Sequence, residues 1–390
     1  MRLLHTSDWH LGRSFHGVGM LEAQRGFVDQ LVAFVEAESV DVVLIAGDVY
    51  DRALPGLDVV KLLDDALVRI TGTGAKVVLT SGNHDSAIRL GFAARLLERG
   101  GVHLRTQIED LDVPVLLPFD DGDQGAVVAI YGIPYLEPRL VAERLGVANA
   151  GHFDVTREAT ERIRRDLERR RQAGPVSSVV LAHTFASGGI TSDSERDLSI
   201  GGLGAVPLDL FQDFGYTALG HLHGRQELAP NVRYSGSPLA YSFSEAKHRK
   251  GAWLVDLASD GGIEVQEVVW NNPTELAVLR GTLDQLLESE EHRWAETAYC
   301  QVTLTDPHRP VQAMEQLRTR FPGTLVLAFD PEGVEEKPQS TYSSRLAAAE
   351  DDLGICCGFL EHVRQRSAGA VEEAALREAL ESIRLEAAEL

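Results

Sequence analysis

Five short stretches of the 390-residue chain place carboxylate, imidazole or amide side chains directly after an apolar run. They are Asp8-Trp9-His10, Gly47-Asp48, Gly82-Asn83-His84-Asp85, Ala182-His183 and Gly220-His221-Leu222-His223. Carboxylate, imidazole and amide oxygen, with no thiolate among them, suit two octahedral-type divalent ions such as manganese. Asp8 and His10 stand two apart on a segment read as extended, so both are expected to face one ion, and His221 with His223 repeats the relation. Asp48 ends a fully apolar run, where an unpaired carboxylate is costly unless a cation compensates it. The glycines before Asp48, Asn83 and His221 permit tight turns and close backbone approach. Taken singly, each stretch has a plain reading: a solvated strand end, a hydrogen-bonded core histidine at His183, or a turn at Asn83–Asp85. Their ordered coincidence is what argues for a site. His5, His16, His103, His152, His248, His292, His308 and His362 have no partner spacing and read as packing or surface residues. Asp51 and Arg52 lie close to the site but are not needed by the metal set, and Asp85 reads as an orienter of a neighbouring ligand.

Positioning these groups requires strands that end together. Strands are predicted at Arg2–Thr6, Asp41–Ala46, Lys76–Thr80, Val127–Tyr131, Ser178–Ala182, Tyr216–Leu219, Val232–Tyr234, Ala252–Asp256 and Glu264–Val269. Helical periodicity over 22–38 and 57–71 separates the first three, the βαβ rhythm of a layered α/β fold. The later strands lack long helices between them, which predicts antiparallel or mixed pairing. Ligand sites in open α/β sheets lie at the carboxyl ends of strands, so five such ends can deliver these groups to one place. After Trp270-Asn-Asn-Pro273 a strand–helix–strand–helix–strand pattern over 275–329 predicts a small α+β unit. Asp330–Pro338 reads as a linker, and two helical patterns follow, the last with Leu376, Leu380, Ile383 and Ala387 at helical spacing.

The ordered set Asp-x-His, Gly-Asp-x-x-Asp, Gly-Asn-His-Asp, His after a strand, and Gly-His-x-His resembles the calcineurin-like metallophosphoesterase superfamily. Ser7–Gly12, Asp197–Gly202, Tyr234–Leu239 and Ser242–Glu245 narrow the resemblance to its SbcD-type nuclease-subunit family, over nearly the whole chain. The resemblance implies an α/β metallophosphoesterase core of stacked mixed β-sheets flanked by helices over residues 1–272. A small α+β cap domain over 273–331 and a linker with a helical partner-binding tail over 332–390 would follow. It implies one metal ion held by Asp8, His10, Asp48 and His223, and a second by Asp48, Asn83, His183 and His221, with Asp48 bridging. His84 would contact the scissile phosphate and assist the leaving oxygen. The expected cofactors are two divalent ions, manganese by preference, which activate water and stabilise an in-line displacement. The implied activity is hydrolysis of DNA phosphodiesters in repair and recombination, as an ATP-dependent double-strand exonuclease and a single-strand and hairpin endonuclease. The implied partners are DNA, an SbcC-type SMC-like ATPase and a second copy of the chain. Leu353, Leu360, Leu376, Leu380 and Ile383 would be the apolar anchors for the ATPase. Two alternatives are a phosphoesterase acting on a small phosphodiester or phosphoprotein, and a catalytically silent assembly scaffold.

Composition bounds these readings. The chain is 44% hydrophobic and 25% charged, which excludes general disorder. No apolar run approaches the ~20 residues of a membrane span. His5, Asp8 and His10 occupy the place of a signal-peptide core, and Cys300, Cys356 and Cys357 offer no disulfide framework; a cytoplasmic, nucleoid-associated protein is expected. No Gly-x-x-x-x-Gly-Lys-Ser/Thr stretch is present, so ATP dependence is expected to come from another polypeptide. A net charge of −22 argues against general electrostatic binding of nucleic acid. The densest basic stretch, residues 157–172 with seven arginines, reads either as a solvated helix laced with ion pairs or as a phosphate-contacting ridge.

Overall fold

Continuous apolar strands form where both faces of a sheet are covered, and Val42–Ala46 is buried at all five positions for that reason. The computed structural model describes residues 1–119, 125–195, 204–272, 275–332, 351–364 and 367–388. In chain order its strands begin with β1 (Arg2–Thr6), a short β2–β3 hairpin (Ser14–Phe15, Val18–Gly19), β4 (Val42–Ala46), β5 (Lys76–Thr80) and β6 (Val102–Arg105). There follow β7 (Val115–Pro118), β8 (Val127–Ile133), β9 (Val176–His183), β10 (Tyr216–Gly220), β11 (Gln226–Ala229) and β12 (Val232–Tyr234). The last are β13 (Gly251–Leu257), β14 (Ile263–Val269), β15 (Leu276–Gly281), β16 (Tyr299–Leu304) and β17 (Thr324–Phe329).

Two six-stranded sheets form, in the orders β14-β13-β1-β4-β5-β6 and β11-β12-β10-β9-β8-β7. Both are mixed, as expected, but the expected lack of long late helices does not hold: His152–Arg171 connects β8 to β9, and those two strands run parallel. β1, β4, β5 and β6 run parallel, as do β8, β9, β10 and β12, while β13, β14, β7 and β11 are antiparallel edges or neighbours. Leu3, Val42, Leu44 and Val78 of the first sheet share a core with Val128, Ile130, Val179, Leu181 and Ala218 of the second, so the sheets pack face to face. The alternate residues Leu4, Val43, Ile45 and Val77 face a helix layer instead.

That layer comes from two amphipathic helices. Leu21–Ala37 buries Gln24, Phe27, Val28, Leu31 and Val35, and Leu57–Gly72 buries Leu62, Leu63, Ala66 and Ile70, each a single helical stripe. On the outer face of the second sheet, Pro138–Leu145 and His152–Arg171 supply Val141, Leu145, Val155, Ala159, Ile163 and Leu167. The result is four layers, with the parallel strands of both sheets free to end at one edge.

A third sheet, β15-β16-β17, is parallel and carries the helices Leu283–Glu288 and Ala313–Arg320. It has its own core of Ala277, Leu279, Leu286, Cys300, Val302, Leu304, Leu317 and Phe321 in the strand–helix order the pattern predicts, but its all-parallel winding is α/β in character where an α+β unit was expected. Thr282 and Gln285 close a capping box at the first of these helices. The chain divides into two compact units, Met1–Asp330 and Pro331–Leu390. In the second, helices Asp352–Arg364 and Ala370–Ala388 pack on each other, with Leu353, Leu360, Leu376 and Leu380 half-buried. The side chain of Ile383, the stretch Asp197–Gly202 and residues 333–338 of the expected linker lie outside the described residues. Among the described residues no helix is long and apolar enough to cross a membrane.

Candidate metal centre

β1, β4 and β5 lie side by side in one sheet and β9 and β10 in the other, and the five stretches follow their carboxyl ends. His183 pairs in register with Gly220, which sets His183 beside His221. The loops then lock onto one another. Asp8, His10 and Leu11 donate their N–H groups to the carbonyls of Gly47, Asp48 and Val49. Trp9, between two of the expected ligands, is buried against Phe27 at a ring separation of 5.3 Å and donates its indole N–H to Thr6 Oγ1 at 3.0 Å. Asp85 accepts from the N–H groups of Val49, Tyr50 and Gly82, at 3.0, 2.9 and 2.9 Å, and so ties the loop after β4 to the loop after β5.

Backbone conformation differs from the expectation of an extended Asp8–His10 segment. Asp8, His10, Asp48 and His221 have φ of 52°, 43°, 47° and 107°, a region that non-glycine residues adopt at a cost. The two side chains therefore reach the site by backbone reversal, held by the loop pairing above, and not by strand alternation. The parallel expectation for His221 and His223 also fails: His221 Nδ1 lies 3.2 Å from Asn83 Oδ1, whereas His223 Nε2 lies 3.0 Å from His10 Nε2, so the pair serves opposite halves of the cluster. Two glycines are sterically required. A Cβ on Gly82 would sit 2.0 Å from Asp48 Oδ1, and one on Gly220 would sit 1.8 Å from the Ala46 carbonyl oxygen.

All seven expected ligands converge. Asp8, His10 and His223 bring one donor atom each within 4.8 Å of one another, as do Asp8, Asp48 and His183, and His10, Asp48 and His84. Asp48 Oδ2 is 3.6 Å from His10 Nε2 and 3.5 Å from His183 Nε2, and His183 Nε2 is 3.0 Å from Asn83 Oδ1. The tautomers indicate what belongs between them. His183 Nδ1 faces the Ala46 carbonyl at 2.9 Å and must donate, so in the neutral ring the lone pair lies on Nε2, aimed at two oxygen acceptors. Acceptors converging on acceptors, buried except for the half-buried Asn83, fit a cation, and nitrogen with hard oxygen fits a divalent one. Electrostatics agrees. Burial pushes the Asp8 carboxyl up to about 6 against the pull of His183 and His223, and pushes His221 down to about 3 with help from the His183 charge. Burial would also raise Asp48, but the imidazoles of His183, His10 and His84 hold it well below the usual carboxylate range. Burial opposes charge on His183 too, yet Asp48 and Asp8 take it to about 9, so in the metal-free cluster a proton on Nε2 holds the place between the acceptors that a cation would take.

His84 lies at the same edge. Its N–H donates to Asp48 Oδ1 at 2.9 Å, its Nδ1 faces the Asp51 carbonyl at 2.9 Å, and its Nε2 is 3.9 Å from Asp48 Oδ2. His5 is fully buried in β1, between the Tyr216 hydroxyl and the Leu219 carbonyl. Asp51 approaches Arg13, Arg52, His10 and His84 at 3.6 to 3.9 Å. Sequence reasoning missed Ser194, Glu195, Glu245 and Lys250, which surround His223 from outside. Only the Ser242–Glu245 stretch carried a signal, as part of a resemblance and without a role. A cavity of about 400 Å³ is lined by Phe15, Met20, Leu239, Glu245, Trp294 and Tyr299 and by none of the expected ligands.

Comparison with known proteins covers both parts of the chain. Solved structures that it resembles include TT1561 of Thermus thermophilus (14% identity, 68% of this chain and 98% of that chain, TM-score 0.35). Another is GAP50, the anchor in the inner membrane complex of Plasmodium (12% identity, 85% and 98%, TM-score 0.38). Residues 272–353 match the type 5 capsule protein repressor C-terminal domain, the SbcD C-terminal family. Residues 1–225 match the calcineurin-like phosphoesterase family, and that span contains every group of the converging cluster. With more than half its length matched, the chain belongs to the calcineurin-like phosphoesterase family and carries the C-terminal domain that accompanies SbcD-type nuclease subunits.

Proposed function

We propose that this protein hydrolyses DNA phosphodiesters at a binuclear manganese centre, as the nuclease subunit of a complex with an SbcC-type SMC-like ATPase. The observation that carries the hydrolytic reading is Asp48, whose single carboxylate oxygen stands 3.5 to 3.6 Å from imidazoles delivered by different sheets. Asp8, His10, Asp48 and His223 would hold one ion, and Asp48, Asn83, His183 and His221 the other. When bound, such ions act as Lewis acids on the phosphoryl oxygens and supply an activated water at neutral pH. The chain's own residues do the rest. Asp48 spans both halves, Asn83 offers its amide oxygen between His183 and His221, and the Asp51 carbonyl fixes the His84 ring. Held that way, His84 would contact the scissile phosphate and pass a proton to the departing sugar oxygen.

The DNA reading rests on the C-terminal match, since the same ligand set would serve a small ester. The proposed division is a nuclease domain over residues 1–272, a cap over 273–331 and a partner-binding tail over 332–390. Of the expected anchors, Leu353, Leu360, Leu376 and Leu380 are half-buried, and the tail helices expose Ile355, Phe359 and Val371 instead as apolar side chains for a coiled-coil partner. A second copy of the chain is the proposed occupant of another surface, where Leu54, Leu57, Ile88, Phe92 and Leu96 are exposed on segments that follow the adjacent strands β4 and β5.

The test is an assay of the purified chain with manganese and with magnesium, on a hairpin DNA and on a small chromogenic phosphodiester. Manganese-dependent hairpin cleavage is expected. Cleavage of the small ester alone would replace DNA by a small phosphodiester or phosphoprotein substrate, and cleavage of neither would favour an assembly scaffold.

A further inference from the structure

Among the ligand imidazoles, His223 is held differently. His183 leans on a backbone carbonyl, and His10 Nδ1 is buried with no hydrogen-bond partner among the described residues. His223 Nδ1 instead meets Ser194 Oγ at 2.7 Å and Glu245 Oε1 at 3.2 Å, and the Ser194 hydroxyl itself donates to that same carboxylate oxygen. Glu245 is 1% exposed and is paired with the buried Lys250 ammonium, which also donates to the His223 carbonyl and to Ser237 Oγ, both at 2.9 Å. The His223 N–H donates to Glu195 Oε1 at 2.8 Å. Backbone N–H, backbone carbonyl and ring nitrogen of one residue are thus all clamped by charged side chains from two other segments.

A carboxylate accepts and never donates, so Nδ1 must carry the ring proton and Nε2 must carry the lone pair. That lone pair points to His10 Nε2, 3.0 Å away. A histidine backed by an ionised carboxylate is a more basic donor than one backed by a carbonyl, and removal of such a backing group costs 10- to 100-fold in metal affinity. Lys250 keeps Glu245 ionised despite its burial, since an isolated carboxylate there would be strongly disfavoured.

We propose that Glu245, with Ser194 and Lys250, is a positioning group that fixes the tautomer and orientation of His223 and thereby sets the affinity of the Asp8–His10–His223 half of the centre alone. The proposal rests on the binuclear reading above. His183 is backed by the Ala46 carbonyl instead, so the Asn83–His183–His221 half is independent of this group, and the two halves are predicted to differ in their response to its loss.

The experiment is manganese titration by calorimetry, with metal content by elemental analysis and the visible spectrum of the cobalt-substituted protein. It uses the full chain, Ser194→Ala, and the double variant Glu245→Gln with Lys250→Met, which removes both buried charges together. The wild type is expected to bind two ions. In the double variant one of the two affinities should fall 10- to 100-fold, the other should hold within about twofold, and one set of cobalt bands should shift. Ser194→Ala should move the same site in the same direction by less. Two unchanged affinities in a folded double variant would overturn the proposal, as would an equal fall at both sites together with a lowered metal-free melting temperature. A wild type that binds fewer than two ions would instead defeat the binuclear reading itself.

Discussion

At the scale of single residues, the proposed roles of the histidines separate by what holds each ring. His84 shares one donor group with His10 and Asp48, yet its Nδ1 is committed to the Asp51 carbonyl and its Nε2 stands 3.9 Å from Asp48 Oδ2, farther than His10 or His183. As the proposed phosphate contact it would be dispensable for metal and needed for chemistry. His84→Ala should keep both ions while phosphodiester hydrolysis falls by ~10²- to 10⁴-fold, the range for loss of a general acid. Elemental analysis beside the assay decides it, because loss of one ion would make His84 a ligand. His5 teaches the opposite lesson. It looked like a packing residue in the sequence, and it is one, with a titration consequence. Burial depresses it from 6.5 to about 3. An unfolded chain therefore binds a proton at this position between pH 6.5 and pH 3 that the folded chain refuses. Its contribution to stability is present above pH 6.5 and lost as pH falls through that window, by the order of a few kcal/mol. In His5→Leu the urea midpoint should drop at neutral pH, because the Tyr216 hydroxyl and Leu219 carbonyl lose their partner. Its dependence on pH between 6.5 and 3 should be flatter than in the wild type. An unchanged dependence would remove His5 as the titrating group.

At the scale of elements, the strands that carry the site were readable because they are short, β-branched and bounded by glycine or acid. Arg2–Thr6, Lys76–Thr80 and Val232–Tyr234 form as expected to the residue, β4 starts one residue later than expected, and β9 and β10 extend the expected runs by no more than two residues at an end. β6, β7 and β11 were not readable, since His103, Pro118 and Glu227 interrupt the apolar signal and sheet neighbours alone make them strands. Nor were the left-handed conformations at Asp8, His10 and Asp48, which arise from pairing between two loops almost forty residues apart in sequence. The clamp on His223 is invisible for the same reason, because Ser194, Glu245 and Lys250 meet only in three dimensions. The arginine-rich helix His152–Arg171 shows what structure adds to an ambiguous pattern. Arg157, Arg162, Arg164, Arg165, Arg169 and Arg170 are all ion-paired, with Asp154, Glu158, Glu161, Asp213 and Asp166 as partners. Guanidinium groups already committed to carboxylates have little charge to offer phosphate, which favours the laced helix over the ridge. Charge reversal at Arg165 and Arg169, the more exposed pair, should leave DNA affinity and its salt slope unchanged. A weakened, shallower binding curve would restore the ridge.

At the scale of the whole molecule, the charge of −22 comes from 59 acids against 37 bases, and it opposes the substrate proposed for this chain. Two divalent ions would offset at most four of those charges, at the one place where phosphate must come close. Since many of the arginines already pair with acids, DNA would meet a net repulsive charge away from the metal-loaded centre. Affinity for DNA without its partner should then be weak, depend on the loaded metal centre, and involve few phosphate contacts. Since log K falls with log salt in proportion to the number of phosphates neutralised, few contacts mean a shallow slope on a low affinity. Fluorescence anisotropy with a labelled hairpin and a non-cleavable backbone, between 50 and 200 mM salt, measures both quantities in about the range where the effect is largest. Chelation of the metal should abolish most of the residual binding, and addition of the proposed ATPase should restore affinity and steepen the slope, since the basic surface that this chain lacks would then come from the partner. Tight binding by the metal-free chain alone would contradict this division of labour and would require a basic surface elsewhere in the chain.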